Sequence, residues 1–334
     1  MMRRLGQLNK DQLVTITFEL IMKIIFFFVS LFVSQSIIAE PFFEQFKAQK
    51  ITNNVYVIHG PKEFPNVKNR GFMNNPAFIV ADKSVVVIDP GSTYETGEMV
   101  LREIKKITDK PVSHIFNTHV HGDHWLANDI VIQHFPGAKI IADPRMIKKA
   151  KAGEGKNWLD YMIRLTGGIA EGTKITYPTL TASNGEQVKA AGLTFNIHSV
   201  GIGHSGTDIM IEYVEGSTLF TGDNVGHERI LRMDDGSFRD LIKTLDKAIS
   251  LNLTHYVPGH GMTGDVKIVH LQREYFATLY KQVSIYTDEG LEDFEMKPKI
   301  MRQLLKFTDW FGFDDQFGKH VSLAKLEFEK AEFE

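Results

Sequence analysis

Asn117-Thr118-His119-Val120-His121-Gly122-Asp123-His124-Trp125 is the stretch from which the rest of this 334-residue chain is best read. It follows directly on VSHIFN at 112–117, an apolar, β-rich segment, so the histidines lie at the end of a strand. His119 and His121 are two apart, and an extended or tightly turned backbone lets both imidazoles converge on one ion. Asp123 and His124 come next and can face a second ion a few ångström away. Zinc accepts imidazole nitrogen and carboxylate oxygen at about 2.0–2.2 Å, so this set of residue types suits a metal centre.

Three downstream residues complete such a centre. His204 sits in GIGHSGTD at 201–208, Asp223 in LFTGDN at 219–224, and His260 in VPGHG at 257–261. Each ends a strand-like segment and lies beside glycine, which lets backbone approach a crowded site. Taken singly, His204 reads more readily as a structural or solvated loop residue than as a ligand, and Asp223 could simply cap a turn. Beside the first motif they read as ligands.

Around these points the chain alternates strand and helix signals. AFIVA at 77–81, SVVVID at 84–89, GAKIIA at 137–142 and the segments 51–58, 192–200, 208–214 and 217–221 read as strands. The last two are joined as a hairpin across Glu215-Gly216. Residues 93–107, 146–169, 240–251 and 266–286 carry helical periodicity, and the charged stretch to Glu334 does too. Strands ending in Asp or His, with helices between, predict a layered α/β chain with its site at the strand ends.

Composition narrows the chemistry. The 38 Lys plus Arg and 41 Asp plus Glu leave a net charge of −3, which argues against phosphate-neutralising nucleic-acid binding. There is no cysteine, which excludes disulfides, thiolate ligands, Cys nucleophiles and iron–sulfur clusters. The N-terminal run IIFFFVSLFV at 24–33, preceded by Lys23 and followed by SQSIIA at 34–39, reads as a signal peptide over 22–39. It is shorter than the ~20 residues a membrane span needs. The expectation is a leader over 1–39 and an exported, periplasmic or secreted domain over 40–334, with a helical extension from about 266. No stable membrane span is expected after cleavage.

HxHxDH, then GHSGTD, TGD and PGHG, with the IDPG turn at 88–91, resembles the metallo-β-lactamase superfamily over roughly residues 50–265. The resemblance implies a four-layer αββα sandwich with two metals at one edge of the sheets. By position, it implies that His119, His121 and His204 hold the first metal, Asp123, His124 and His260 the second, and that Asp223 bridges them. It also implies two zinc ions, with iron or manganese as alternatives. A hydroxide shared by two such ions attacks an ester, thioester, lactone or lactam of a small molecule, and Asp123 orients it. Asp223 stands where Cys-containing zinc β-lactamases carry Cys, so the chain is more similar to the glyoxalase II, lactonase, alkylsulfatase and phosphodiesterase branches. The closing FGKHV at 317–321 is similar to the tail of SoxH-like and quinoprotein-relay zinc hydrolases. A β-lactamase, or an iron-dependent sulfur or oxygen oxidoreductase on the same fold, are the alternatives.

Weaker expectations attach to other residues. Asp89, Thr118 and Asp208 are candidates for fixing imidazole tautomers. Trp125 is expected to pack beneath the site, and Trp158 and Tyr161 to pack or line a pocket. His227, Arg229 and Arg232 are read as a solvated loop face that could alternatively meet an anionic group. Phe72 and Met73, before the Asn74-Asn75 turn, could form a mobile apolar flap or belong to an ordinary hairpin. His59, His114, His134, His198, His255, His270 and His320 are read as non-ligands. No cofactor-binding residues beyond the metal set are expected, and the oligomeric state is left open.

Overall fold

The computed structural model describes residues 41–332, so the expected signal segment lies outside the described residues. Residues up to Gln45 form a unit of their own, whose described part is a helical turn, Pro41–Glu44. The second unit, Phe46–Glu334, carries all the site residues.

Two sheets build it. The first runs in sequence order through β1 (Gln49–Lys50), β2 (Val55–Val57), β3 (Ala77–Val80), β4 (Val85–Ile88), β5 (Val112–Phe116), β6 (Lys139–Ala142) and β7 (Leu180–Thr181). It is antiparallel as far as β4 and parallel from β4 to β7. The second sheet orders β12 (His255–His260), β11 (Thr218–Gly226), β10 (Met210–Tyr213), β9 (Leu193–His198) and β8 (Gln187–Ala190). Its β11–β12 pair is parallel, and the others are antiparallel.

The sheets pack face to face. Val55, Val57, Ile79, Val86, Ile88, Phe116 and Ile141 of the first share one core with Phe195, Ile197, Ile211, Tyr213, Phe220 and Val257 of the second. β4 is buried along its whole length, as a strand with both faces covered must be. Helix α1 (Tyr94–Ile107) buries Thr96, Met99, Val100, Glu103 and Ile104, a stripe at helical spacing. Thr93 caps it by accepting from Thr96 N.

After the site motif come α2 (Gly122–Trp125), α3 (Asn128–His134), α4 (Pro144–Lys149) and α5 (Gly155–Leu165). The expected continuous helix over 146–169 is therefore interrupted. A wide turn at Ala150–Glu154 separates α4 from α5, and within it Gly153 has φ +127°, a conformation L side chains rarely adopt.

Helices α6 (Phe238–Ser250), α7 (Val266–Asp288), α8 (Asp293–Met301) and α9 (Phe313–Glu332) complete the chain. Leu241, Leu245, Tyr275, Phe276, Leu279, Ile300 and Val321 from them share a second core with Met210, Leu219 and Tyr256 of the second sheet. With helices outside both sheets, the architecture is the expected αββα sandwich. No helix among the described residues is long and apolar enough to cross a membrane.

Candidate metal centre

All seven sequence-selected His and Asp residues come together at one edge of the two sheets, each delivered by a strand end or the turn after it. β5 leads into His119 and His121, and α2 carries Asp123 and His124. His204 lies in the loop between β9 and β10, Asp223 within β11, and His260 ends β12. Two groups form, His119, His121, His204 and Asp223, and Asp123, His124 and His260. Within each group the donor atoms lie within 4.8 Å of one another, and every side chain is buried.

Asp223 touches both groups. Its Oδ1 is 3.1 Å from His124 Nε2, while its Oδ2 is 3.2 Å from His260 Nε2 and 3.7 Å from His204 Nε2. Asp123 Oδ2 lies 3.2 Å from His260 Nε2 and 3.4 Å from His124 Nε2. Two glycines make this packing possible. Gly222, at φ +52°, begins a break in the β11–β12 register, and a Cβ there would meet Thr118 Oγ1 at 2.7 Å. A Cβ on Gly259 would meet Asp223 Oδ1 at 2.0 Å.

A layer of hydrogen bonds fixes which nitrogen each ring presents. Asp89 Oδ2 accepts from His124 Nδ1 at 2.8 Å and from Thr118 Oγ1 at 2.6 Å, and Oδ1 accepts from Thr118 N at 2.9 Å. Because the Thr118 hydroxyl proton is committed to Asp89, its oxygen accepts from His119 Nδ1 at 3.0 Å. His260 Nδ1 donates to Met73 O at 2.8 Å. His119, His124 and His260 are thereby left with bare Nε2 atoms. Asp89 and Thr118 thus sit where tautomer-fixing partners are expected. Asp208 acts otherwise: its Oδ2 accepts from Ser205 N at 2.6 Å, holding the turn that carries His204. Burial pushes the Asp208 carboxyl up to about 6.

The electrostatics favour a cation. Burial opposes charge on Asp123 and Asp223, yet the His124 and His260 imidazoles beside them hold both carboxyls well below the usual range. Burial opposes a proton on His124, but Asp223, Asp123 and Asp89 raise it well above the ordinary value. The field that favours a proton there equally favours a metal ion. By contrast, burial and then the neighbouring rings drive His119 well below its ordinary value, and His204 down to about 3, leaving neutral imidazoles fit to ligate. His119 Nε2, His124 Nε2 and Asp223 Oδ1 are buried without any hydrogen-bond partner, as ligand atoms are. The residues present therefore fit a divalent metal.

The centre opens onto a cavity of about 740 Å³. Its wall includes Trp158, Tyr161, Met73 and Arg229. Trp158 packs on His121 with centroids 4.8 Å apart, whereas Trp125 is fully buried and donates from Nε1 to Val120 O. Phe72 and Met73 are not a flap: both are buried, and Phe72 packs edge-on against Phe46 at 5.0 Å. Nor do His227, Arg229 and Arg232 share one solvated face. His227 is half-buried and hydrogen-bonds Met262 O, Arg232 is exposed and pairs with Asp234, and Arg229 is buried against Phe64 and Phe311. Sequence reasoning also missed Asp235, whose Oδ2 lies 3.5 Å from His121 Nε2, because nothing local marks that loop residue. The remaining histidines lie outside the centre; His59 pairs with Thr263, His198 with Glu212 and His320 with Tyr275.

Residues 69–260, more than half of the chain, match the family model of the metallo-beta-lactamase superfamily. A probable metallo-hydrolase of Methanocaldococcus jannaschii is 28% identical over 204 residues, covering 58% of this chain and 91% of that protein. Another from Streptococcus pyogenes serotype M6 is 28% identical over 196 residues, covering 56% and 78%. In fold, the chain is similar to a metallo-beta-lactamase from Pontibacter korlensis (TM-score 0.55, 17% identity, 70% of this chain and 99% of that one). It is also similar to a stereoselective inverting sec-alkylsulfatase from Pseudomonas sp. (TM-score 0.61, 14% identity), with 76% of this chain covering 45% of that one. By its sequence, its fold and the set of His and Asp side chains at the edge of its sheets, this chain belongs to the metallo-beta-lactamase superfamily.

Proposed function

We propose that the chain is an exported, binuclear, zinc-dependent hydrolase of small esters, thioesters, lactones or lactams. The observation that carries this is Asp223, whose two carboxylate oxygens face ring nitrogens of both ligand groups. On this reading His119, His121 and His204 would hold one ion, Asp123, His124 and His260 would hold the other, and Asp223, whose oxygens face both groups, would serve both. A donor set of imidazole and carboxylate suits zinc. Two such ions supply an activated water and Lewis-acid polarisation of the scissile group. The chain's own residues do the rest. Asp123 lines the cavity as an ionised carboxylate, so it accepts a hydrogen bond from the attacking water and orients it. Asp89 and Thr118 hold His124 and His119 in the ligating tautomer. The aromatic wall at Trp158 and Tyr161 keeps bulk water from one side of the reacting bond. Export is supported by the basic and apolar pattern over 22–39.

The test is metal content by elemental mass spectrometry beside a panel holding a chromogenic cephalosporin, a thioester, a lactone and an aryl sulfate. Two zinc ions per chain and turnover of an ester-type member are expected. Asp223→Ala lowers metal content toward one ion and cuts turnover; unchanged stoichiometry and rate remove the bridging role. Iron with no hydrolysis moves the reading to redox chemistry. N-terminal sequencing of the protein recovered from its own cells tests cleavage near residue 39.

A further inference from the structure

The cavity holds a cation that the hydrolytic centre does not use. Arg229 is only 6% exposed and lines the cavity. Its Cζ lies 4.8 Å from the ring centroid of Phe311 and 5.5 Å from that of Phe64. The two rings pack on each other at 4.9 Å, so they cover one side of the guanidinium together. Backbone bonds fix this arrangement: Ile230 N donates to Phe311 O at 2.9 Å and Phe311 N to Glu228 O at 3.0 Å.

Arg229 lacks the partner its neighbours have. Lys62 pairs with Glu228 and Arg232 with Asp234, but among the described residues no carboxylate forms an ion pair with Arg229. Its side-chain hydrogen bond is a long one, 3.4 Å from Nη1 to Glu63 O. Asp223 and Asp123 act on it electrostatically, yet both are engaged by imidazoles. A guanidinium carries five N–H donors in one plane, and a nearly buried one without a counter-ion is poised for an incoming anion.

We propose that Arg229 is the carboxylate-recognition group of this cavity, so that the substrate is a small molecule bearing a carboxylate near the bond that is cleaved. The proposal rests on the hydrolase reading and deepens it by naming the substrate class. A planar carboxylate matches the in-plane fork of N–H groups, and the aromatic pair holds that plane still. One unpaired buried cation matches a monoanion; a phosphate dianion wants a second buried one, and of the other cations on the wall Arg232 is committed to Asp234 and Lys319 is exposed. Glu154, Asp235 and Asp315 on other parts of the wall repel an anion, and the further cation there, Lys319, is exposed to water, so the buried fork of Arg229 is the favoured place for the charged end. Phe64 and Phe311 both lie outside residues 69–260, so the shared core of the superfamily does not supply this wall.

The test uses the full metal-loaded chain and two chromogenic esters, 4-nitrophenyl hydrogen glutarate and its neutral methyl ester. The wild type is expected to favour the acid by about tenfold or more in kcat/KM. Arg229→Met brings that ratio to about one, and Arg229→Lys, with charge but no planar fork, gives an intermediate ratio. Melting curves check each variant, and Arg229→Lys carries the comparison if Arg229→Met does not fold. A wild-type ratio near one, a ratio unchanged in Arg229→Met, or preference for a phosphonate arm over the carboxylate overturns the proposal. If neither ester is hydrolysed, the hydrolase reading of this chain toward esters fails separately. The anion site is then read by tryptophan fluorescence, titrating glutarate against dimethyl glutarate. Glutarate binding that Arg229→Met abolishes sustains the site, and no binding to the wild type overturns it.

Discussion

Replacing Asp89 with Asn changes one atom type and puts the whole ligand set at risk. The wild-type carboxylate accepts three hydrogen bonds, from Thr118 N, Thr118 Oγ1 and His124 Nδ1. An amide at the same place offers one oxygen and one NH2. If the oxygen faces His124, the NH2 faces the Thr118 N–H; if it faces Thr118 N, the NH2 faces His124 Nδ1 and the hydroxyl. Each orientation sets a buried donor against a donor, at a cost of about 1–3 kcal/mol. In the second, the relief is a tautomer shift of His124 that puts its proton on Nε2, the atom facing Asp223 and Asp123. A protonated Nε2 cannot ligate. Losing such a partner typically weakens metal affinity 10–100-fold, about 1.4–2.7 kcal/mol.

The assay is competitive chelator titration of both ions, with melting of the metal-free chain alongside. Asp89→Asn should weaken both sites, because Asp89 reaches His124 directly and His119 through Thr118. Thr118→Val should weaken the site of His119 more than that of His124. Wild-type affinities at both sites in Asp89→Asn would refute the idea that this carboxylate sets the tautomers.

Two further outcomes follow from the geometry. Gly259→Ala places a Cβ 2.0 Å from Asp223 Oδ1 and 2.9 Å from the Gly222 carbonyl carbon, so Asp223 must swing away or β11 and β12 must part. Elemental analysis should find less than two ions per chain and melting a loss of about 1–3 kcal/mol, whereas two ions at the native melting temperature would count against the packing described. His320 is buried beside Tyr275 Oη (3.0 Å) and the rings of Phe238 and Phe276, and burial holds it down to about 4. Its folded value is depressed below the unfolded ~6.5, so the stability it contributes is full above pH ~6.5 and is lost as pH falls toward 4. The loss is up to about 3 kcal/mol. Urea unfolding of the metal-free wild type and His320→Gln should converge over that window; a constant difference between pH 7 and 4 removes His320 from the acid sensitivity.

The His and Asp cluster was legible because the spacing of its first members is local and its chemistry is narrow. HxHxDH at a strand end has few other uses, and His204, Asp223 and His260 each stand beside a glycine whose purpose is close approach. The strands with β-branched runs, such as VVVI at 85–88, were legible for the same local reason. What was missed depends on distant partners. β8, with the sequence QVKA, is largely exposed and too polar to announce itself. Gly153 was visible, but the apolar periodicity around it continues into α5 and hides the break. Asp89 read equally as a turn cap, because its partners stand 29 and 35 residues away. Arg229 looked like a loop cation because the rings that bury it, Phe64 and Phe311, lie on opposite sides of the motif region.

That distribution has a physical logic. Ligands must be placed within tenths of an ångström, so they ride on strand ends and glycine-tight turns, which leave strong local signatures. The first sheet supplies Asp89, Thr118, His119 and His124, and the second supplies Asp223 and His260, so an ion held there would join the two sheets across their shared edge. Recognition of the rest of a substrate needs only a wall of the right charge and shape. That wall is assembled here from Phe64 before the first ligand and Phe311 after the last, around Arg229. On the proposed reading, the aromatic part of the surface that selects the molecule comes from outside the stretch that carries the His and Asp cluster, although Arg229 itself lies within it, so that aromatic part can change while the centre stays fixed.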